Sequence, residues 1–117
     1  MELKEFYEKI QGDYEGTVRR LMREDIMRKF IKKFPDDQSF TLLEVSLEGD
    51  KDEAFRAAHT LKGVSVNLGF TRLYTSSSAL TEKLRANDYN EIEILFEEVK
   101  NDYNMTLKAV EQLISEE

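Results

Sequence analysis

The stretch DKDEAFRAAHTLKGVSVNLG, residues 50–69, predicts the central helix of the fold. Acidic residues open it, where the helix dipole favours negative charge, and a glycine suited to a left-handed C-terminus closes it. At about 100° per residue, its small and apolar residues fall on one stripe. We expect this stripe to be buried, and it consists of Ala54, Ala57, Ala58, Leu61, Val64, Ser65 and Leu68.

The opposite side of this helix carries His59, which is the only histidine in the chain. On a helical wheel it lies roughly 160° from the centre of the buried stripe, so we expect it to be exposed to solvent. Lys62 and Gly63 follow three and four positions later and share its face. Phe55 and Val66 project nearby. A cation and a position without a side chain therefore flank one imidazole.

The rest of the chain also has helical periodicity, with short connections that favour antiparallel neighbours. Thr71 is a candidate N-cap for the helix that returns after Gly69. We predict an all-α fold, an antiparallel up-and-down four-helix bundle with additional short N-terminal helices. It forms a single domain over residues 1–117, in which residues 1–22 are an N-terminal helical appendage and residues 23–115 are the bundle. The other helices are expected at about 3–11, 14–22, 23–34, 39–48, 72–85 and 90–114.

Composition excludes several classes of function. A net charge of -7 disfavours nucleic acid, whose phosphates attract basic faces, and no apolar run is long enough to span a membrane. The first residues lack the features of a secretory signal, so we expect a cytoplasmic protein, a monomer with protein partners. Met1 and the self-contained set of helices favour a stand-alone chain, and a domain excised from a longer sensor kinase stays open as the alternative. With no cysteine, one histidine, no phosphate-binding loop and no HExxH motif, we assign no cofactor, no metal and no autonomous kinase or turnover activity.

The chemistry that fits His59 is nucleophilic attack on a phosphoryl group, which gives a covalent phosphoramidate. An ammonium one helical turn away, that of Lys62, would offset charge on the phosphoryl oxygens. Gly63 costs about 1 kcal/mol relative to alanine inside a helix, and clearance for a partner's backbone is a reason for it. Phe55 and Val66 are then partner contacts. By composition alone a lone histidine is an ordinary surface residue, and it is the joint spacing that favours a site.

Residues 58–69, AHTLKGVSVNLG, resemble the signature of histidine-containing phosphotransfer (HPt) domains. The helix start at Gly49 and Asp50, the return helix from Leu73 to Leu84 and the final long helix extend the resemblance over roughly residues 20–115. It implies a bundle that takes a phosphoryl group from an aspartate of one response-regulator receiver domain, including those of hybrid histidine kinases, and delivers it to another receiver. His59 matches the phosphoacceptor, Lys62 the supporting lysine and Gly63 the small residue that admits the receiver. Magnesium would belong to the receiver.

Two points stay open at the level of sequence. In some members of that family a polar side chain of the return helix orients the histidine ring, and a helix reversal at Phe70 would bring Thr81 level with His59. The alternative function is a helical interaction module that has the same shape but binds proteins without being phosphorylated. An intact set of His59, Lys62 and Gly63 favours phosphotransfer.

Overall fold

The computed structural model describes residues 1–117, and every regular element in it is a helix. No helix combines the length and the apolar character that crossing a membrane requires. A short 3₁₀ turn at Phe34–Asp36 contains the single proline and separates the third helix from the fourth. The α-helices are α1 (Leu3–Ile10), α2 (Tyr14–Leu21), α3 (Glu24–Lys33), α4 (Ser39–Ser46), α5 (Lys51–Leu68), α6 (Thr71–Arg85) and α7 (Ile92–Ser115).

The helices α4 to α7 pack as antiparallel neighbours, as the short connections predicted. α5 lies between α4 and α6, and α6 packs on α7. The Phe40 ring of α4 stacks on Tyr103 of α7 at 4.0 Å, which closes the fourth side. α7 has 24 residues, a length of about 36 Å, and sets the 40 Å long axis of the molecule. The predicted all-α bundle is confirmed.

The two ends of α5 are fixed by Asp50 and Gly69. The Asp50 carboxylate accepts hydrogen bonds from the backbone N–H groups of Asp52 and Glu53, which satisfies two donors that the first turn leaves free. Gly69 has φ +73°, and a Cβ there would lie 2.1 Å from Thr17 Oγ1. Both the backbone conformation and the space therefore require glycine. Of the predicted buried stripe, only Val64 is half-buried; the other six residues are buried.

The N-terminal segment was predicted to be an appendage, but α1 lies in the common core. Leu3, Phe6, Tyr7 and Ile10 are each no more than 1% exposed. The Tyr7 hydroxyl donates a hydrogen bond of 2.7 Å to the carbonyl of Leu68, at the end of α5. One hydrophobic core therefore includes α1 together with the bundle helices.

Phe70 forms the corner between α5 and α6. The predicted cap, Thr71, is instead the first residue of α6, and Phe70 at the N-cap position makes no side-chain hydrogen bond. Its ring is 1% exposed and packs edge-on against Phe34 at 5.1 Å. Apolar burial thus fixes this reversal where a polar cap was expected.

Candidate functional site

His59 lies near the middle of α5 and is exposed, as its position opposite the buried stripe predicted. Its imidazole takes part in none of the hydrogen bonds and ion pairs that α5 makes. A histidine on a packed, capped helix has a fixed Cα position and direction. The imidazole therefore projects from a fixed place on the helix surface, where it is open to a partner.

Phe55, one helical turn before His59, is the aromatic neighbour of the imidazole. The two ring centroids are 6.0 Å apart and the ring planes differ by 15°. Phe55 is half-buried and packs against the core, which anchors it. The Arg85 guanidinium lies 5.0 Å from the centre of the Phe55 ring. Phe55 thus connects the imidazole both to the core and to a cation of α6, in addition to being a predicted partner contact.

Lys62 lies one turn after His59 and is only 24% exposed at its side chain. Its ammonium is 3.9 Å from Oε1 of Glu82 on α6. The other oxygen of the same carboxylate, Oε2, accepts a hydrogen bond of 3.3 Å from Arg85 Nε. The Lys62 ammonium, three residues after His59 on α5, therefore shares an acidic partner with a second cation.

Gly63 faces open space. A Cβ built at this position meets no atom within 4 Å. Tight packing inside the protein, the ordinary reason for a glycine in the middle of a helix, is therefore absent here. What the missing side chain leaves is clearance on the His59 face of α5.

Val66 marks the C-terminal edge of the same face and is 43% exposed. Its carbonyl accepts a hydrogen bond of 2.9 Å from Arg20 Nη2 of α2, which connects this edge to the N-terminal segment.

At the other edge, Arg56 pairs with Glu53 at 2.7 Å. The hydrogen bond and charge of Glu53 hold the pKa of the Arg56 guanidinium above its usual range.

Thr81 does not reach the imidazole through a hydrogen bond. It is fully buried, and its hydroxyl donates to the carbonyl of Ser77, inside α6, at 2.6 Å. The α6 residues that contact the side chains around His59 are Glu82 and Arg85. The sequence reasoning missed both. The pattern that could have indicated them is an acidic and a basic residue three positions apart, on one face of the last turn of the return helix.

The arrangement combines an exposed imidazole, a nearby ammonium and a surface without an obstructing side chain. Such a set can present one nucleophilic nitrogen to a phosphorus atom carried by another molecule and offset the negative charge that arrives with it. No group of three or more histidine, cysteine, aspartate or glutamate side chains is clustered as a metal site would need.

Comparison with known proteins gives one match. A family model described as Hpt domain matches residues 25–115, which include α4 to α7 and the whole of the surface around His59. The resemblance carried by residues 58–69 is confirmed by this match. No curated protein and no solved structure matches the chain.

Proposed function

The chain belongs to the Hpt domain family, and from this premise we propose that His59 is the phosphoacceptor of a two-component phosphorelay. Hpt domains are phosphotransfer carriers without catalytic activity of their own, and their partners are response-regulator receivers. In the proposed cycle His59 takes a phosphoryl group from a receiver aspartate and passes it to the aspartate of another receiver.

The chemical step exchanges one bond to phosphorus for another. The unprotonated ring nitrogen of His59 attacks the phosphorus of an aspartyl phosphate, the P–O bond breaks, and the aspartate leaves as a carboxylate. The other ring nitrogen keeps its proton. Delivery is the reverse of this step, with the carboxylate of the second receiver as the nucleophile. No group beyond the two proteins is consumed.

The observation that carries the proposal is the surface around His59: an exposed imidazole, the Lys62 ammonium one turn away, and open space over Gly63. Phosphoryl transfer depends on positioning and on charge stabilisation more than on covalent help from the protein. α5 supplies the positioning, and Lys62 supplies positive charge on the same face. The open space lets the aspartyl phosphate of a receiver approach the ring.

We assign the receiver-docking surface to the exposed side of α5, with Phe55 at one end and Val66 at the other. Val66 adds exposed apolar area at the C-terminal edge, and Phe55 adds the edge of a half-buried ring. Apolar contacts around a central open position suit a partner that must bind, react and leave, because a small interface keeps the affinity moderate.

The proposal is tested by incubating the protein with a set of phosphorylated receiver domains from its source organism. We expect label on this chain that is labile to acid and stable to alkali, as a phosphoramidate is, and none on His59→Gln, which keeps a polar side chain of similar size. A receiver that binds the chain without transferring label would support the alternative, an interaction module that works without phosphorylation. Absence of label from every competent donor contradicts the proposal.

A further inference from the structure

Glu82 of α6 contacts both cations next to the His59 site with one carboxylate. Its Oε1 lies 3.9 Å from the Lys62 ammonium and its Oε2 lies 3.3 Å from Arg85 Nε. Each cation has a connection to the imidazole. Lys62 is three residues after His59 on α5. The Arg85 guanidinium of α6 lies over the ring of Phe55, which stacks on the imidazole. The Glu82 carboxylate thus pairs with the two cations that a phosphoryl group on His59 would attract.

A phosphoryl group can replace the Glu82 carboxylate as the partner of these cations. The distance between Lys62 and Glu82 exceeds that of a hydrogen bond, and the Glu82 side chain is 57% exposed. An exposed ion pair of this kind contributes little to stability, so breaking it costs little. A phosphoryl group brings close to two negative charges and three acceptor oxygens onto the same face. It therefore competes with a single, solvated carboxylate on favourable terms.

We propose that Glu82 is a resting counterion, which holds Lys62 and Arg85 while His59 is unmodified and releases Lys62 to the phosphoryl group once His59 carries it. The inference rests on the proposed function, because it takes His59 as the phosphoacceptor. Glu82 is a positioning residue and acts through Lys62. By competing for the cation it weakens the hold of the protein on the phosphoryl group, which keeps that group transferable to a receiver.

The test needs no receiver. Because His59 is the only histidine, phosphoramidate modifies a single imidazole: its P–N bond breaks, a P–N bond to the ring forms, and ammonia leaves with the proton that the ring gives up. The ionisation of the other ring nitrogen, followed by ³¹P NMR against pH from neutral to alkaline values, where the P–N bond survives, then reports how much positive charge surrounds the phosphorylated ring. The midpoint of this ionisation is compared in four proteins: the unsubstituted protein, Glu82→Gln, Lys62→Met, and the double variant that carries both substitutions.

We expect Glu82→Gln to lower the midpoint of this ionisation by about half a pH unit, about threefold in proton affinity, because Lys62 is no longer shared. On the Lys62→Met background the same substitution should have less than half this effect. Glu44→Gln is the matched control: Glu44 is 45% exposed and pairs with Lys100 at 3.6 Å, joining α4 to α7 away from His59. It makes the same change in net charge and should leave the midpoint unchanged.

Two results would overturn the inference: a midpoint in Glu82→Gln equal to that of the unsubstituted protein, or an equal shift with and without Lys62. The second result would mean that Glu82 acts only by repulsion through solvent. Failure of the proposed function is a separate observation, since it would appear as no transfer from phosphorylated receivers, whatever the chemically phosphorylated protein shows.

Discussion

The Phe55 ring lies nearly parallel to the His59 imidazole, with the planes 15° apart and the centroids 6.0 Å apart. Phe55 also packs against the core, and we expect the stack to limit the orientations that the imidazole takes. Phosphoryl transfer requires the attacking nitrogen in line with the bond that breaks. The stack is therefore a means of holding the proposed nucleophile, and it is built from Phe55, which the sequence analysis assigned only to partner contact.

Replacing Phe55 by leucine keeps an apolar side chain and removes the flat ring. We predict that Phe55→Leu slows phosphotransfer from a receiver by about three- to tenfold, the range that one aromatic pair is worth. The measurement is a single-turnover rate at saturating receiver. Phe30→Leu, on α3 and 42% exposed, serves as the control and should transfer at the unsubstituted rate. Equal rates for both variants would remove the stack from the mechanism.

Substitution of Gly63 should separate stability from docking. A Cβ at Gly63 meets nothing within 4 Å, so Gly63→Ala should raise the free energy of unfolding by about 1 kcal/mol, the difference in helix propensity. Gly63→Leu should fold equally well, yet weaken receiver binding by at least about tenfold, because its side chain fills the approach to His59. Urea titration and a binding isotherm measure the two effects.

The matched glycine for that experiment is Gly69, where φ is +73° and a Cβ would lie 2.7 Å from the Asp13 carbonyl. Gly69→Ala should lower the free energy of unfolding by more than about 1 kcal/mol, since the left-handed backbone and the contact both oppose a side chain. If Gly63→Ala were also destabilising, Gly63 would be a packing residue. If Gly63→Leu bound receivers at the unsubstituted affinity, it would not border the interface.

The stability of the protein should fall at high pH through Tyr7. Burial raises the pKa of the Tyr7 phenol to about 12, against about 10 in an unfolded chain. Between these values the unfolded chain releases the proton and the folded protein keeps it. The neutral Tyr7 phenol therefore contributes on the order of 3 kcal/mol to the free energy of unfolding below about pH 10, and this contribution is lost as pH rises toward 12. Tyr7→Phe should lose less stability between about pH 9 and pH 11 in urea titrations. Parallel losses in both proteins would refute the assignment.

The N-terminal helix should behave as part of the core. Phe6 is fully buried and its ring lies 6.1 Å from that of Phe70. Phe6→Ala should lower the free energy of unfolding by about 3–5 kcal/mol through lost burial and the cavity left behind. Met22→Ala, at a side chain 81% exposed, should change it by less than about 0.5 kcal/mol. A small effect at Phe6 would mean that residues 1–22 are an appendage after all.

Much of the fold followed from properties that a helix carries within itself. The periodicity of residues 50–69 gave the buried and exposed sides of α5, and Asp50 and Gly69 gave its ends, because amphipathicity and capping are local. The shared face of His59 and Lys62 could be predicted for the same reason, because their spacing on one helix determines it. The exposure of His59 needed no knowledge of any other element.

What the sequence could not give depends on how one helix slides along another. The prediction of Thr81 assumed a reversal at Phe70 and a residue count down α6, and an error of one residue rotates a helix by about 100°. The side chain facing Lys62 is the next one, Glu82. Likewise, the apolar face of α1 indicated that this helix packs against other helices, but it did not indicate which ones. Its place in the core therefore appeared only in the structure.

The central claim is that His59 carries the phosphoryl group, and the intact mass of the protein after incubation with an excess of phosphorylated receiver tests it most directly. Measured at alkaline pH, where a phosphoramidate survives, the mass should increase by one phosphoryl group, and the mass of His59→Gln should not increase although that variant still binds the receiver. A phosphoryl group retained by His59→Gln, or none gained by the unsubstituted protein from any receiver that binds it, would contradict the claim.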